Sequence, residues 1–219
     1  MIHDECLEKF AASLYSAYLP YHNFQHISDV LKAGDIILFE CKKNGIDFNE
    51  PVIYHAILFH DAGYQENHET NGYESKESYS ASLAENILIN EDYPETHISQ
   101  VKQAIMSTQM HAQCVSIEDK VVRAADLYGL TAAYPDFREK TVTLYHERLM
   151  LGDVNISWDE YKKEACSIIN HFLKHKINLD IDLYRGERDK FSQAAYRNLD
   201  LLMGEQEQVI DDHSSYSFT

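Results

Sequence analysis

The chain has 219 residues, of which 36 are Asp or Glu and 19 are Lys or Arg, so its formal net charge at pH 7 is −17. A negative charge of this size repels nucleic-acid backbones and anionic membrane surfaces, which argues against duplex binding and membrane association. Its apolar runs fall well short of the ~20 residues that span a bilayer, and its four cysteines form no CxxC pair, so we expect a cytoplasmic protein with reduced thiols.

The predicted elements are helices, because eight glycines and four prolines leave few breaks and no long stretch alternates apolar and polar residues. In chain order, apolar spacing and capping residues predict helices over about residues 2–18, 23–43, 51–63, 76–90, 95–111, 116–133, 157–176 and 187–203. This pattern predicts an all-α fold. We expect one domain over about residues 1–204, with a core over 20–134, C-terminal helices over 135–204 packed on it, and a disordered tail over 205–219.

Several side chains of the metal-ligand type occur at predicted helix ends. The stretch YHNFQH places His22 and His26 four residues apart where a helix begins. The pair His60-Asp61 follows the most hydrophobic helix of the chain, an unfavourable place for two polar groups unless they serve a shared purpose, and His111 ends another predicted helix. A shared metal ion would supply that purpose.

A carboxylate in the apolar stretch VVRAADLYGL belongs to the same group of residues. Burying the charge of Asp126 is costly unless a cation or hydrogen-bond donors compensate it. Arg123, one turn earlier, is a simple structural compensator, and a metal ion is the alternative.

These residues together resemble the signature of the HD superfamily of metal-dependent phosphohydrolases, which is a His, then a His-Asp doublet, then a distant Asp. The matching residues here are His26, His60, Asp61 and Asp126. More narrowly, YHNFQH resembles the YHNxxH opening of a subgroup described as predicted metal-dependent HD phosphohydrolases. Later stretches similar to that subgroup are ESYSASLA, STQMH, AADLYGL and the closing FLKHKINLDIDLYRGERDKFSQAAYRNL. The resemblance covers nearly the whole chain and implies an HD-domain helical bundle.

The chain also departs from this subgroup after the doublet. An insertion rich in Glu, Asn and His comes first, and Lys76 stands where the subgroup has Asn. The acidic residue that follows in the subgroup corresponds to Glu77, with Glu74 as a competing assignment. The guanosine-tetraphosphate hydrolases of the superfamily carry Glu-Asp three residues after the doublet, whereas this chain has Tyr64-Gln65, which argues against that activity.

The resemblance implies that His26, His60, Asp61 and Asp126 bind a divalent transition metal. Imidazole and carboxylate ligands without thiolate suit Mn, Fe, Co, Ni or Zn, and the sequence does not choose among them. We expect a single ion that activates water for attack on phosphorus, with Asp61 accepting the proton of that water and Glu77 orienting the water or acting as a base.

The expected substrate is a small, nucleotide-like phosphorylated metabolite, cleaved at a phosphoester or phosphoanhydride bond. His22 and His111 are candidates for contacting its phosphate, and His111 is also a candidate ligand of a second metal. Two alternatives stay open: a diiron HD-type oxygenase, and a nucleotide-sensing module without turnover. The sequence leaves the formation of a homodimer open.

Overall fold

The computed structural model describes residues 1–152 and 155–205, and over these residues it contains helices and no strand. The elements are α1 (Glu5–Ala12), α2 (Phe24–Lys43), α3 (Glu50–Phe59), α4 (Lys76–Asn90), α5 (Glu95–Met106), α6 (Ile117–Asp126), a 3-10 helix (Leu127–Thr131), α7 (Tyr134–Met150), α8 (Trp158–Lys174) and α9 (Lys190–Met203). The expected all-α fold is confirmed. In the described part of the chain, no helix is both long and apolar enough to cross a membrane.

Helix α3 forms the centre of the structure. Every residue from Val52 to Phe59 is buried, because α3 packs against α1, α2, α4, α5 and α6. The C-terminal helices join this core through α9, which packs on the 3-10 helix and against α7 and α8. Buried residues from Ala11 to Leu202 form one contiguous hydrophobic core.

Several helices are shorter than the sequence predicts, and at two of these ends a hydroxyl marks where the chain leaves the helix. Residues 13–18 are not part of α1, α3 stops at Phe59, α5 stops at Met106, and α6 gives way to the 3-10 helix. The hydroxyls of Ser13 and Ser107 each donate to the carbonyl three residues earlier, at 2.6 and 2.7 Å, and Thr131 makes the same bond, at 2.8 Å, at the end of the 3-10 helix. Such side-chain bonds compete with the helical ladder, so they favour termination at these points.

Helix α7 has no counterpart among the predicted helices. Its buried residues are Phe137, Thr141 and Glu147, so two of the three buried positions are polar. A helix of this kind lacks the apolar stripe by which an amphipathic helix is recognised.

The predicted tail begins at Glu205, which is still packed on the structure. Its carboxylate accepts hydrogen bonds from the Tyr134 hydroxyl at 2.6 Å and from Arg138 Nε at 2.5 Å. Glu205 is therefore part of the packed structure. The rest of the predicted tail lies outside the described residues.

Gly63 shapes the turn that follows His60-Asp61. Its φ of +73° is in the left-handed region, and a Cβ there would lie 2.7 Å from Tyr79 Cε1 and 2.8 Å from Leu83 Cδ1. We expect Gly63→Ala to lower the free energy of unfolding by about 2–4 kcal/mol, because strain and overpacking add. The free energies are measured by chemical denaturation, with Gly45→Ala as the control. Gly45 has a φ of +69°, but no atom lies within 4 Å of a Cβ built there, so its substitution should lower the free energy of unfolding by only about 1 kcal/mol. Equal losses would contradict the proposed clash.

The stability of the fold depends on pH through His55, a buried histidine of α3. It is 3 % exposed, its Nδ1 lies 2.8 Å from His97 Nε2, and burial followed by the charge of His97 lowers its pKa to about 4. The fold therefore favours neutral His55, so stability is retained above pH 6.5 and lost as the pH falls towards 4. From this difference in pKa we expect a loss of about 3 kcal/mol.

The contribution of His55 is measured by urea denaturation between pH 7 and pH 4. His55→Phe should flatten the decline relative to wild type, whereas His175→Phe, at an exposed position, should not. A decline of equal steepness in wild type and His55→Phe would show that other groups cause it.

Candidate metal centre

Three helix ends bring the signature residues together. The Asn23 side chain caps α2 by accepting from the N–H groups of Gln25 and His26, which places His26 in the first turn. His60 is the C-cap residue of α3, directly before Asp61. Asp126 is the last residue of α6, and α2, α3 and α6 pack against one another.

The four side chains point into one gap. His26, His60 and Asp126 each place a ligand atom within 4.8 Å of the other two. Asp61 borders the same gap, since its Oδ2 lies 3.5 Å from His26 Nε2 and 3.2 Å from His60 Nε2. Asp126 Oδ1 lies 3.5 Å from both of these imidazole nitrogens.

These separations fit ligands that share an ion. A direct charge-assisted hydrogen bond between imidazole and carboxylate is shorter, about 2.7–2.9 Å. Ligand atoms each about 2.1 Å from one ion lie about 3.0–3.4 Å apart. The nitrogen-to-oxygen distances of 3.2–3.5 Å in the gap are close to the second range.

The protonation of His60 also fits a metal ligand. Its Nδ1 lies 2.8 Å from the Ile57 carbonyl oxygen, which can only accept, so Nδ1 carries a proton. Its Nε2 is buried and, in the described part of the chain, has no hydrogen-bond partner. An imidazole whose second nitrogen is fixed by a carbonyl, with the first facing a gap, has the orientation typical of histidine ligands.

The four groups shift one another's pKa values. Burial lowers the pKa of His60, but Asp61 and Asp126 outweigh burial and hold this pKa well above its usual range. Burial raises the pKa of Asp61, but His60 and His26 outweigh it and hold that pKa well below its usual range. The gap is therefore a place where charges compensate one another, not one filled by hydrocarbon.

Arg123 does not compensate Asp126 in the way the sequence suggested. Its Nη2 donates to the Gln109 carbonyl at 2.5 Å, and its guanidinium lies 5.6 Å from the Phe172 ring centroid. Among the described residues, the ion pairs of Asp126 are made with His26 and His60.

A cavity of about 510 Å³ opens onto the gap. Its polar lining includes His26, Asp61 and Asp126, together with Lys76 and Glu77 from the first turn of α4. Most of the remaining lining is apolar and comes from the 3-10 helix, α7 and α8. A concave site with a few polar groups grouped beside an apolar wall is typical of small-molecule binding.

A second cavity, of about 260 Å³, shares part of this lining. It lies between α2 and residues 125–132, and His26 and Asp126 border both cavities. The centre is thus accessible from two cavities.

His22 is held by a buried carboxylate that the sequence analysis does not identify. Glu147 of α7 is 2 % exposed, accepts from the N–H groups of Tyr21 and His22 at 2.8 Å each, and accepts from His22 Nδ1. The His22 ring stacks on Tyr64 with centroids 3.6 Å apart and 10° between the planes. His22 therefore lines the cavity in a fixed orientation, and among the described residues its Nε2 has no hydrogen-bond partner.

The other predicted site residues differ in position. Glu77 lines the cavity, and Gln109 Nε2 lies 3.5 Å from its carboxylate. Glu74, the competing assignment, precedes α4, is exposed and is not part of the cavity lining. His111 is exposed and outside the cavity lining, and its ring lies against His171 at 4.7 Å between centroids. A role of His111 in substrate or metal binding stays a prediction.

No protein-family model matches this chain, and a search of curated proteins finds no match either.

Proposed function

We propose that this protein is an HD-type, metal-dependent phosphohydrolase that cleaves a phosphoester or phosphoanhydride of a small, nucleotide-like metabolite in the cytoplasm. The observation that carries the proposal is the convergence of His26, His60, Asp61 and Asp126 at a cavity that also holds a lysine and a glutamate. A divalent transition metal held by these four residues would supply a Lewis acid that polarises the phosphoryl group and activates water at neutral pH.

The side chains of the cavity have distinct proposed roles. Asp61 has one oxygen, Oδ2, beside the two imidazoles, which leaves Oδ1 to accept the proton of the attacking water. Glu77 lines the same cavity and is placed to orient that water. His22, fixed through Nδ1 by Glu147, presents Nε2 as a donor or acceptor for a phosphoryl oxygen.

The test is a screen of the protein, reconstituted separately with Mn, Fe, Co, Ni or Zn, for phosphate or pyrophosphate release from nucleotides and small phosphoesters. We expect release with at least one metal and none after chelation. Iron-dependent oxygen uptake without phosphate release would support the oxygenase alternative. Stabilisation by nucleotides without release would support the sensing alternative, and either result would overturn the proposal.

A further inference from the structure

Lys76 lines the cavity of the proposed metal centre, and among the described residues it makes no direct ion pair, although the charges of Glu147, Asp61 and Glu77 act on it. It is the first residue of α4, where the helix dipole disfavours positive charge. It lines the cavity, and within the described part of the chain no carboxylate lies at ion-pair distance from its Nζ. By contrast Lys140, which also lines the cavity, is paired with Asp29 at 3.1 Å. In a chain with a net charge of −17, an unpaired cation in a cavity points to an anionic ligand.

The position of Lys76 is fixed by stacking. Its Nζ lies 3.4 Å from the Tyr64 ring centroid, and the His22 ring lies 3.6 Å from the same centroid. Two groups this close would overlap on one face of the ring, so they occupy opposite faces. Because Glu147 in turn holds His22, the ammonium group of Lys76 is supported by a chain of contacts that ends in a buried carboxylate.

The apolar part of the cavity lining indicates the chemical nature of the rest of the ligand. Helix α8 contributes Tyr161, Ile168, Ile169 and Phe172 to this lining, and we call these residues the α8 wall. Ile168 is 44 % exposed although it lines a cavity, so part of its hydrocarbon surface is available to a ligand. Burying such surface favours an apolar or aromatic group over a second polar one.

We propose that Lys76 binds the phosphoryl oxygens of the substrate and that the α8 wall binds an aromatic or hydrocarbon group attached to that phosphate. The substrate class is then a phosphate ester of a ring-bearing or otherwise apolar alcohol. This inference rests on the proposed function and narrows it.

The test uses two phosphonates of equal charge, methylphosphonate and phenylphosphonate, whose P–C bonds resist hydrolysis. Binding to Zn-loaded protein is measured by titration calorimetry. We expect phenylphosphonate to bind about tenfold more tightly, from the area of the added ring. Lys76→Met should weaken both ligands about tenfold or more, and Lys76→Arg should retain most of the affinity. Lys163→Met removes the same charge from an exposed position of α8 and should change neither affinity.

The wall is tested by Ile168→Ser, which should reduce the advantage of phenylphosphonate and leave methylphosphonate binding unchanged. Zinc content and circular dichroism of each variant show that the site and the fold are intact. Equal affinities in Lys76→Met and wild type, absence of phosphonate binding in wild type, or no preference for the phenyl group would each overturn the inference.

The outcome is separable from that of the proposed function. Lysine-dependent phosphonate binding without phosphate release from any compound would refute hydrolysis and leave the binding inference intact. Phosphate release with the same kcat/KM in wild type and Lys76→Met would refute the inference and leave hydrolysis intact.

Discussion

Asp61→Ala is expected to abolish phosphate release and to weaken metal binding more than about 100-fold, since even residues that only support a metal ligand contribute 10–100-fold. The physical reason is the position of Asp61 Oδ2 at 3.2 and 3.5 Å from two imidazole nitrogens, where it would serve both charge balance and coordination of the proposed metal. Mn affinity by calorimetry and phosphate release in the reconstituted protein are the two measurements.

Thermal unfolding adds a readout that does not depend on turnover. Metal at 100 times its Kd stabilises the protein that binds it by about 2.7 kcal/mol, so the Tm of wild type should rise on adding metal and that of Asp61→Ala should not. Asp47→Ala, at an exposed position, makes the same charge change and should behave as wild type. Undiminished turnover in Asp61→Ala would refute the mechanism.

Glu147→Ala is expected to have the second largest effect, on both stability and activity. Removal of this carboxylate leaves the N–H groups of Tyr21 and His22, and His22 Nδ1, without their acceptor. Orphaned buried donors cost about 1–3 kcal/mol each, so the three donors together predict a loss of at least about 3 kcal/mol in the free energy of unfolding. Loss of the fixed orientation of His22 should reduce kcat/KM about 10–100-fold.

Glu147→Gln separates the two roles. Its amide oxygen can still accept from the two backbone N–H groups, so much of the stability should return, but the charge that orients His22 is lost and kcat/KM should stay low. Glu139→Ala, an exposed glutamate on the same helix, is the control. If Glu147→Gln regains stability and full activity together, Glu147 has a structural role only.

Much of the helical framework was predictable from the sequence because caps and apolar spacing are local signals. The helix predicted over 76–90 matches α4 in its bounds, and Ser75 caps it with a reciprocal bond to Ser78. The convergence of the signature residues was anticipated through the resemblance, since no local signal specifies which helix ends meet. Their role as metal ligands stays a prediction.

The parts of the site that sequence analysis missed have different physical causes. Glu147 lies on α7, whose buried face carries polar residues. Burial of this carboxylate allows it to hold His22, but a polar residue at a buried position also interrupts the apolar pattern by which a helix is recognised. His111 does not lie at the end of a helix, as predicted, because α5 already ends at Met106 and the residues after it do not continue the helix. In the sequence, Lys76 was only a departure from the subgroup it resembles. Its proposed role in binding depends on contacts with Tyr64 and, through Tyr64, with His22, which the sequence does not reveal.

The two cavities that share His26 and Asp126 have a consequence for exchange with bulk solvent. A molecule that fills the larger cavity leaves these two side chains bordered by the smaller cavity as well. Under the proposed hydrolysis, the smaller cavity would let water reach the centre while an organic group occupies the larger one.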